Sequence, residues 1–204
     1  MLDEPSTTVP QAVVTSSAHR HHDQLISQLR IFLDKFSSAA LSEESSEVLR
    51  ATLCDATERL IDEQVLSEEQ RRYGRLPHLP SAGQATSPWY EVLRATPPAS
   101  LSGRAFFGPF FLGGGCAAHG GAIPLLFDEL FGWLANAEGM PSSRTAYLNT
   151  QYHSVVRIGN ELTFSAWTDR VEGRKRYLRA ELHDGRVLCA EAESLFVTLR
   201  PGQA

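Results

Sequence analysis

Long apolar runs are missing from this chain. No stretch approaches 18 consecutive apolar residues free of charge, so a membrane-spanning helix is not expected. Basic runs are missing as well: 19 Lys and Arg face 24 Asp and Glu, a net charge of -5, which speaks against a nucleic-acid binder. Cysteine is scarce, with Cys54, Cys116 and Cys189 far apart and no CxxC pair. The first 25 residues lack the basic start and apolar core of a secretory signal. Both observations point to reduced thiols and a cytoplasmic protein. Cys116 has no base adjoining it in sequence and reads as a small loop residue rather than a nucleophile. No internal repeat is present.

What is there suits one domain with an extension: 204 residues, 42% of them apolar, enough for a sizeable core. Residues 1–18, rich in Ser, Thr, Pro and Ala, are expected to form a disordered or loosely attached tail. Residues 19–70 read as a helical extension. Leu25, Ile26, Leu29, Leu33 and Phe36 recur at helical steps from Asp23 to Phe36, and Ser42 is placed to cap a second helix carrying Val48, Leu49, Leu53, Leu60 and Ile61. The two helices are expected to pack together and against the sheet or a neighbouring subunit. His19, His21 and His22 have no partner ligand at metal spacing and read as solvated surface histidines. Residues 71–102, punctuated by prolines, read as an irregular connection anchored by Trp89 and Tyr90 that covers either the main body generally or a substrate channel.

Residues 103–204 carry the main domain. Strands are expected at Arg104 to Phe111, Arg144 to Val156, Glu161 to Val171, Arg174 to Leu182 and Val187 to Leu199, with turns at Glu172-Gly173 and Asp184-Gly185. Ala190, Ala192 and Ser194 share one face of the last strand, small enough for a helix to lie close. The pattern predicts an antiparallel sheet curled around one long helix, that of residues 119–137.

That helix is apolar on every side except for Asp128 and Glu129, and is expected to be central and buried. A carboxylate there costs several kcal/mol unless it is hydrogen-bonded, paired or protonated, or reaches a wet edge. Gly113-Gly114-Gly115 and Gly120-Gly121 precede the helix, whose free N–H groups and positive dipole end suit a developing oxyanion. At 1.5 Å rise per residue, Asp128 lies ~12 Å along the axis from Gly120. If both act on one carbonyl, the second must come from another copy of the helix.

The segments HGGAIPLLFDELFG, GPFFLGGGCAA, RTAYLNTQY, DRVEGRKRYLRAEL and AEAESLFVTLRP, in that order, resemble the hotdog-fold acyl-CoA thioesterases, in particular the phenylacetyl-CoA thioesterase-like branch that includes the thioesterase superfamily members. The resemblance spans roughly residues 103 to 201. It implies an α+β hotdog fold, a curved antiparallel sheet wrapped around a long central helix, here with an N-terminal helical extension. It implies hydrolysis of acyl-CoA with no metal or organic cofactor, in a homodimer as minimal unit, with tetramers or hexamers open. By matching position, Asp128 is the catalytic carboxylate and Gly120 the backbone oxyanion donor of the partner subunit. His119 opens the helix, and Thr145 supplies a hydroxyl for the attacking water. Gly121 is expected to line the substrate site. Arg174, Lys175 and Arg176 are either solvated turn charges or ligands of the coenzyme A phosphates. Glu129, ~100° from Asp128 around the helix, is read as structural. The alternatives are a hotdog dehydratase or hydratase and a non-catalytic acyl-CoA binder or sensor.

Overall fold

The computed structural model describes residues 17–65, 67 and 70–203. The expected tail therefore lies outside the described residues, save Ser17 and Ala18, which begin the first helix. Helix α1 spans Ser17–Ser37 and α2 spans Glu43–Arg59. Ser42 caps α2 as its sequence suggests, its Oγ accepting the Ser45 N–H at 3.1 Å.

Strands β1 (Trp89–Thr96), β2 (Ser100–Phe106), β5 (Ser143–Tyr152), β6 (Glu161–Glu172), β7 (Lys175–Asp184) and β8 (Val187–Thr198) form one sheet in the order β1-β2-β6-β7-β8-β5. Every neighbouring pair is antiparallel. Two short strands, β3 (Leu112–Gly114) and β4 (Ala117–Ala118), pair as a separate ribbon ahead of helix α3 (Ala122–Ala135). This is the hotdog arrangement. Leu126, Phe127, Leu130, Phe131 and Leu134 of α3 are fully buried against Leu162, Phe164, Leu178, Leu182 and the small residues Ala190, Ala192 and Ser194. Small side chains on β8 let the helix approach, and burial of this apolar face is the main stabilising contribution.

Three expectations need correction. The sheet begins at Trp89, not beyond residue 103: the second half of the supposed connection is the hairpin β1–β2, and Pro109–Phe111 is a 3-10 turn rather than the end of a strand. Helix α3 is buried on one face only, with Leu125 40% exposed and Asp128 exposed. Helix α2 buries no residue within this chain, and Val48, Leu53, Leu60 and Ile61 remain exposed. No helix among the described residues is long and apolar enough to cross a membrane.

Candidate active site

Asp128 sits on the exposed face of α3, opposite the start of the edge strand β5. Thr145 Oγ1 donates a 3.0 Å hydrogen bond to Asp128 Oδ1. The structure thus brings together two of the residues selected from sequence. It does not bring Gly120 to them, since Gly120 precedes α3 and Asp128 follows by two turns of the same helix.

The glycine end is built separately. His119 N–H donates to Phe111 O at 2.6 Å. Its Nδ1 accepts the Gly121 N–H at 3.0 Å, so the ring in its neutral form carries the proton on Nε2. Gly121 is thereby spent on His119, whereas among the described residues the Gly120 N–H donates no hydrogen bond. Gly113 lets the loop close on itself, because a Cβ there would lie 2.9 Å from His119 Cα. Tyr152, which sequence reasoning did not select, donates its hydroxyl to Gly120 O at 2.8 Å and fixes the peptide from the strand side.

A cavity of about 810 Å³ opens beside Asp128, lined among others by Glu129, Trp133 and Asn136 of the helix region, Tyr90 of β1, and Arg75 and Ala82 of the connection. The connection therefore does line the space beside the acid. Phe127 and Phe131, on the other face of the helix, lie in the core. Glu129 lines the same cavity as Asp128. Its carboxyl is hydrogen-bonded by Gln84 and Tyr90, and burial first, then the nearby Asp128 charge, pushes its pKa above the ordinary carboxylate range. Burial likewise raises the Tyr90 phenol, with Glu129 beside it adding to the shift. Gln84 is delivered there by a left-handed run, Ser81 (φ 51°), Ala82 (φ 52°) and Gly83 (φ 74°). Ser81 holds that run, donating to Pro88 O at 3.0 Å and accepting the Tyr90 N–H at 2.9 Å.

The basic cluster divides. Arg174 and Lys175 are exposed at the β6–β7 turn, with Arg174 donating to Thr198 O at 2.8 Å. Arg176, expected beside them, is buried and donates to Ala135 O at the end of α3, because consecutive strand residues face opposite sides of the sheet. Burial lowers its pKa. Among the described residues no group of three or more His, Cys, Asp or Glu is arranged to hold a metal ion. Of the histidine trio, His22 is not simply solvated: its Nε2 donates to Gly83 O at 3.0 Å.

A family profile described as the thioesterase superfamily matches residues 117–190, from β4 through α3 into β8. A crystal structure of a thioesterase superfamily protein superposes with a TM-score of 0.70 at 22% identity, covering 86% of this chain and 90% of that one. Zebrafish thioesterase superfamily member 2 gives a TM-score of 0.50 at 18% identity over 54% of this chain and 81% of its own. A Streptococcus mutans protein crystallised with acetyl-CoA gives 0.50 at 14% identity over 54% and 88%. No curated protein matches by sequence. The chain has the hotdog fold, and its residues 117–190 carry the thioesterase superfamily pattern.

Proposed function

We propose that this protein hydrolyses acyl-CoA thioesters to the free acid and coenzyme A, as a homodimer or an assembly of dimers. The observation that carries the reading is the pairing of Asp128 with Thr145 at the mouth of a large cavity, with an unengaged Gly120 N–H at the far end of the same helix. In a two-fold dimer the Asp128 end of one helix faces the Gly120 end of its partner, and one thioester reaches both.

The thioester oxygen accepts the Gly120 N–H, which stabilises the negative charge developing on it as the tetrahedral species forms. Asp128 acts on the opposite side of the carbonyl, either taking a proton from water that Thr145 helps to orient or attacking directly to give a transient anhydride. His119 keeps the Gly121 amide occupied and the loop fixed. Gly121 and the exposed Arg174 and Lys175 are the proposed contacts for the rest of the substrate, the two cations meeting coenzyme A phosphates. The bound acetyl-CoA of the Streptococcus mutans relative supports coenzyme A thioesters as the substrate class. The free thiols Cys54, Cys116 and Cys189 fit a cytoplasmic setting.

The test is thiol release from a panel of aliphatic and aromatic acyl-CoAs followed with a thiol-reactive dye, on the wild type and Asp128→Asn. Turnover by the wild type that Asp128→Asn abolishes while acyl-CoA still binds supports the reading. Binding without turnover by the wild type overturns it in favour of a sensor.

A further inference from the structure

Helix α1 lies outside the segment that matches the superfamily, yet it touches both halves of the site. Asp34 Oδ1 accepts the Phe110 N–H at 2.9 Å. The carboxylate is pressed onto Gly108, where a Cβ would lie 2.5 and 2.6 Å from its two oxygens, so that only glycine permits the approach. The turn so held is closed by Phe111 N–H on Gly108 O at 3.0 Å and braced by edge-to-face contacts of Phe111 with Phe107 and Phe110 at 6.0 and 5.2 Å. From this turn the path to the oxyanion donor is short. The Phe111 carbonyl accepts the His119 N–H, and His119 Nδ1 accepts the Gly121 N–H, next to the free amide of Gly120.

One helical turn earlier on the same face, Arg30 donates to Ser87 O at 2.9 Å and to Gln84 O. Gln84 in turn bonds Glu129 in the cavity of Asp128. A bond from a backbone amide to a carboxylate is charge-assisted and holds its geometry better than a neutral one. The placement matters because a misfit of ~1 Å at a reacting group costs about 10²-fold in rate.

We propose that Asp34 is a positioning residue for the Gly120 oxyanion donor, acting through Phe110, Phe111 and His119 without touching substrate. The N-terminal helix is then a brace for the catalytic loop rather than an appendage. The proposal rests on the acyl-CoA hydrolase reading of Gly120.

The experiment compares full-length wild type, Asp34→Ala, Asp34→Asn and Gly108→Ala by steady-state thiol release and by amide hydrogen exchange. Asp34→Ala is expected to lose roughly tenfold to a hundredfold in kcat with KM changing far less, since the oxyanion donor acts on the transition state. Asp34→Asn keeps an oxygen acceptor in place and recovers most of the loss. Gly108→Ala, which displaces the carboxylate from the other side, repeats the defect should Asp34→Ala fail to fold. Exchange in Asp34→Ala rises in residues 110–121 while β6 to β8 stay protected. Unchanged kcat, equal losses in Asp34→Ala and Asp34→Asn, or exchange rising evenly over the chain would overturn the proposal. A wild type that releases no thiol sinks the hydrolase reading alone, and the exchange pattern still decides whether Asp34 holds the loop.

Discussion

Thr145 Oγ1 and Asp128 Oδ1 are 3.0 Å apart, the hydroxyl of an edge strand donating to the carboxylate of the central helix. The bond turns one carboxylate oxygen toward the sheet and leaves the other for water or a carbonyl carbon. Asp128→Asn keeps the shape and removes the base, so kcat should fall by about 10²- to 10⁴-fold, with acyl-CoA affinity by equilibrium titration nearly unchanged.

Thr145→Ala removes only the orienting hydroxyl. A single hydrogen bond of this kind contributes about 1 kcal/mol, so kcat should drop roughly fivefold to tenfold, and Thr145→Ser should restore it. A full loss in Thr145→Ala would make the hydroxyl a principal catalytic group rather than a helper.

Tyr152 offers a parallel test at the other end of the helix. Its hydroxyl fixes Gly120 O at 2.8 Å, and Tyr152→Phe deletes that bond while leaving the ring. The expected result is a fall in kcat of a few-fold to tenfold with KM and melting temperature little moved, read by thiol release and thermal melts.

How much of this could be read from the sequence depended on whether local pattern carried the signal. Ser42, the α3 glycines and the small residues of β8 did, because caps, tight loops and close helix approach each demand particular side chains. Strand β1 did not: it is an edge strand bounded by prolines, its register slips between Val92 and Arg94, and its second half is exposed, so the period of two is lost. Tyr152 was hidden by a related device. Thr145 and Tyr152 are seven residues apart, which in a regular strand puts them on opposite faces, but a bulge between Thr145 and Tyr147 returns both to the side of Phe196 and Ala190, facing α3. The Glu129, Tyr90 and Gln84 contacts join three distant segments and have no local signature at all.

Glu129 predicts a pH effect. Its folded pKa lies above the ordinary value, so between the two the native state binds more protons than the unfolded chain. Wild-type stability therefore carries a Glu129 contribution that declines as pH rises from about 4.5 through the raised value, and stays lost above it. Glu129→Gln has no proton to release, so its melting temperature relative to wild type should climb across that window. A difference that stays flat with pH would show that Glu129 titrates normally.

Arg176→Leu tests the role given to that residue by its burial. The guanidinium donates to Ala135 O at the negative end of α3, a carbonyl that Ser143 Oγ also reaches at 3.3 Å, so the substitution removes the charged one of its two donors. The expected cost is about 1–3 kcal/mol of unfolding free energy in urea, with KM for acyl-CoA unchanged. A raised KM with normal stability would instead favour the phosphate-binding role.

The division of the site between two copies predicts complementation. Asp128→Asn and Gly120→Pro, which lacks the amide hydrogen, should each be inactive alone; Gly120 is outside the left-handed region and its Cβ position is open but for Tyr152 Oη at 3.9 Å. In a mixed dimer, one of the two sites combines the intact Asp128 of one copy with the intact Gly120 of the other, and the second site carries both defects. Random reassortment of equal amounts then makes half the dimers mixed, each with one working site, so activity should return to roughly a quarter of wild type. Two groups acting within a single copy could give no recovery, because every copy in the mixture is defective. Thiol release measured before and after the two variants are unfolded and refolded together therefore separates the shared site from a site confined to one chain.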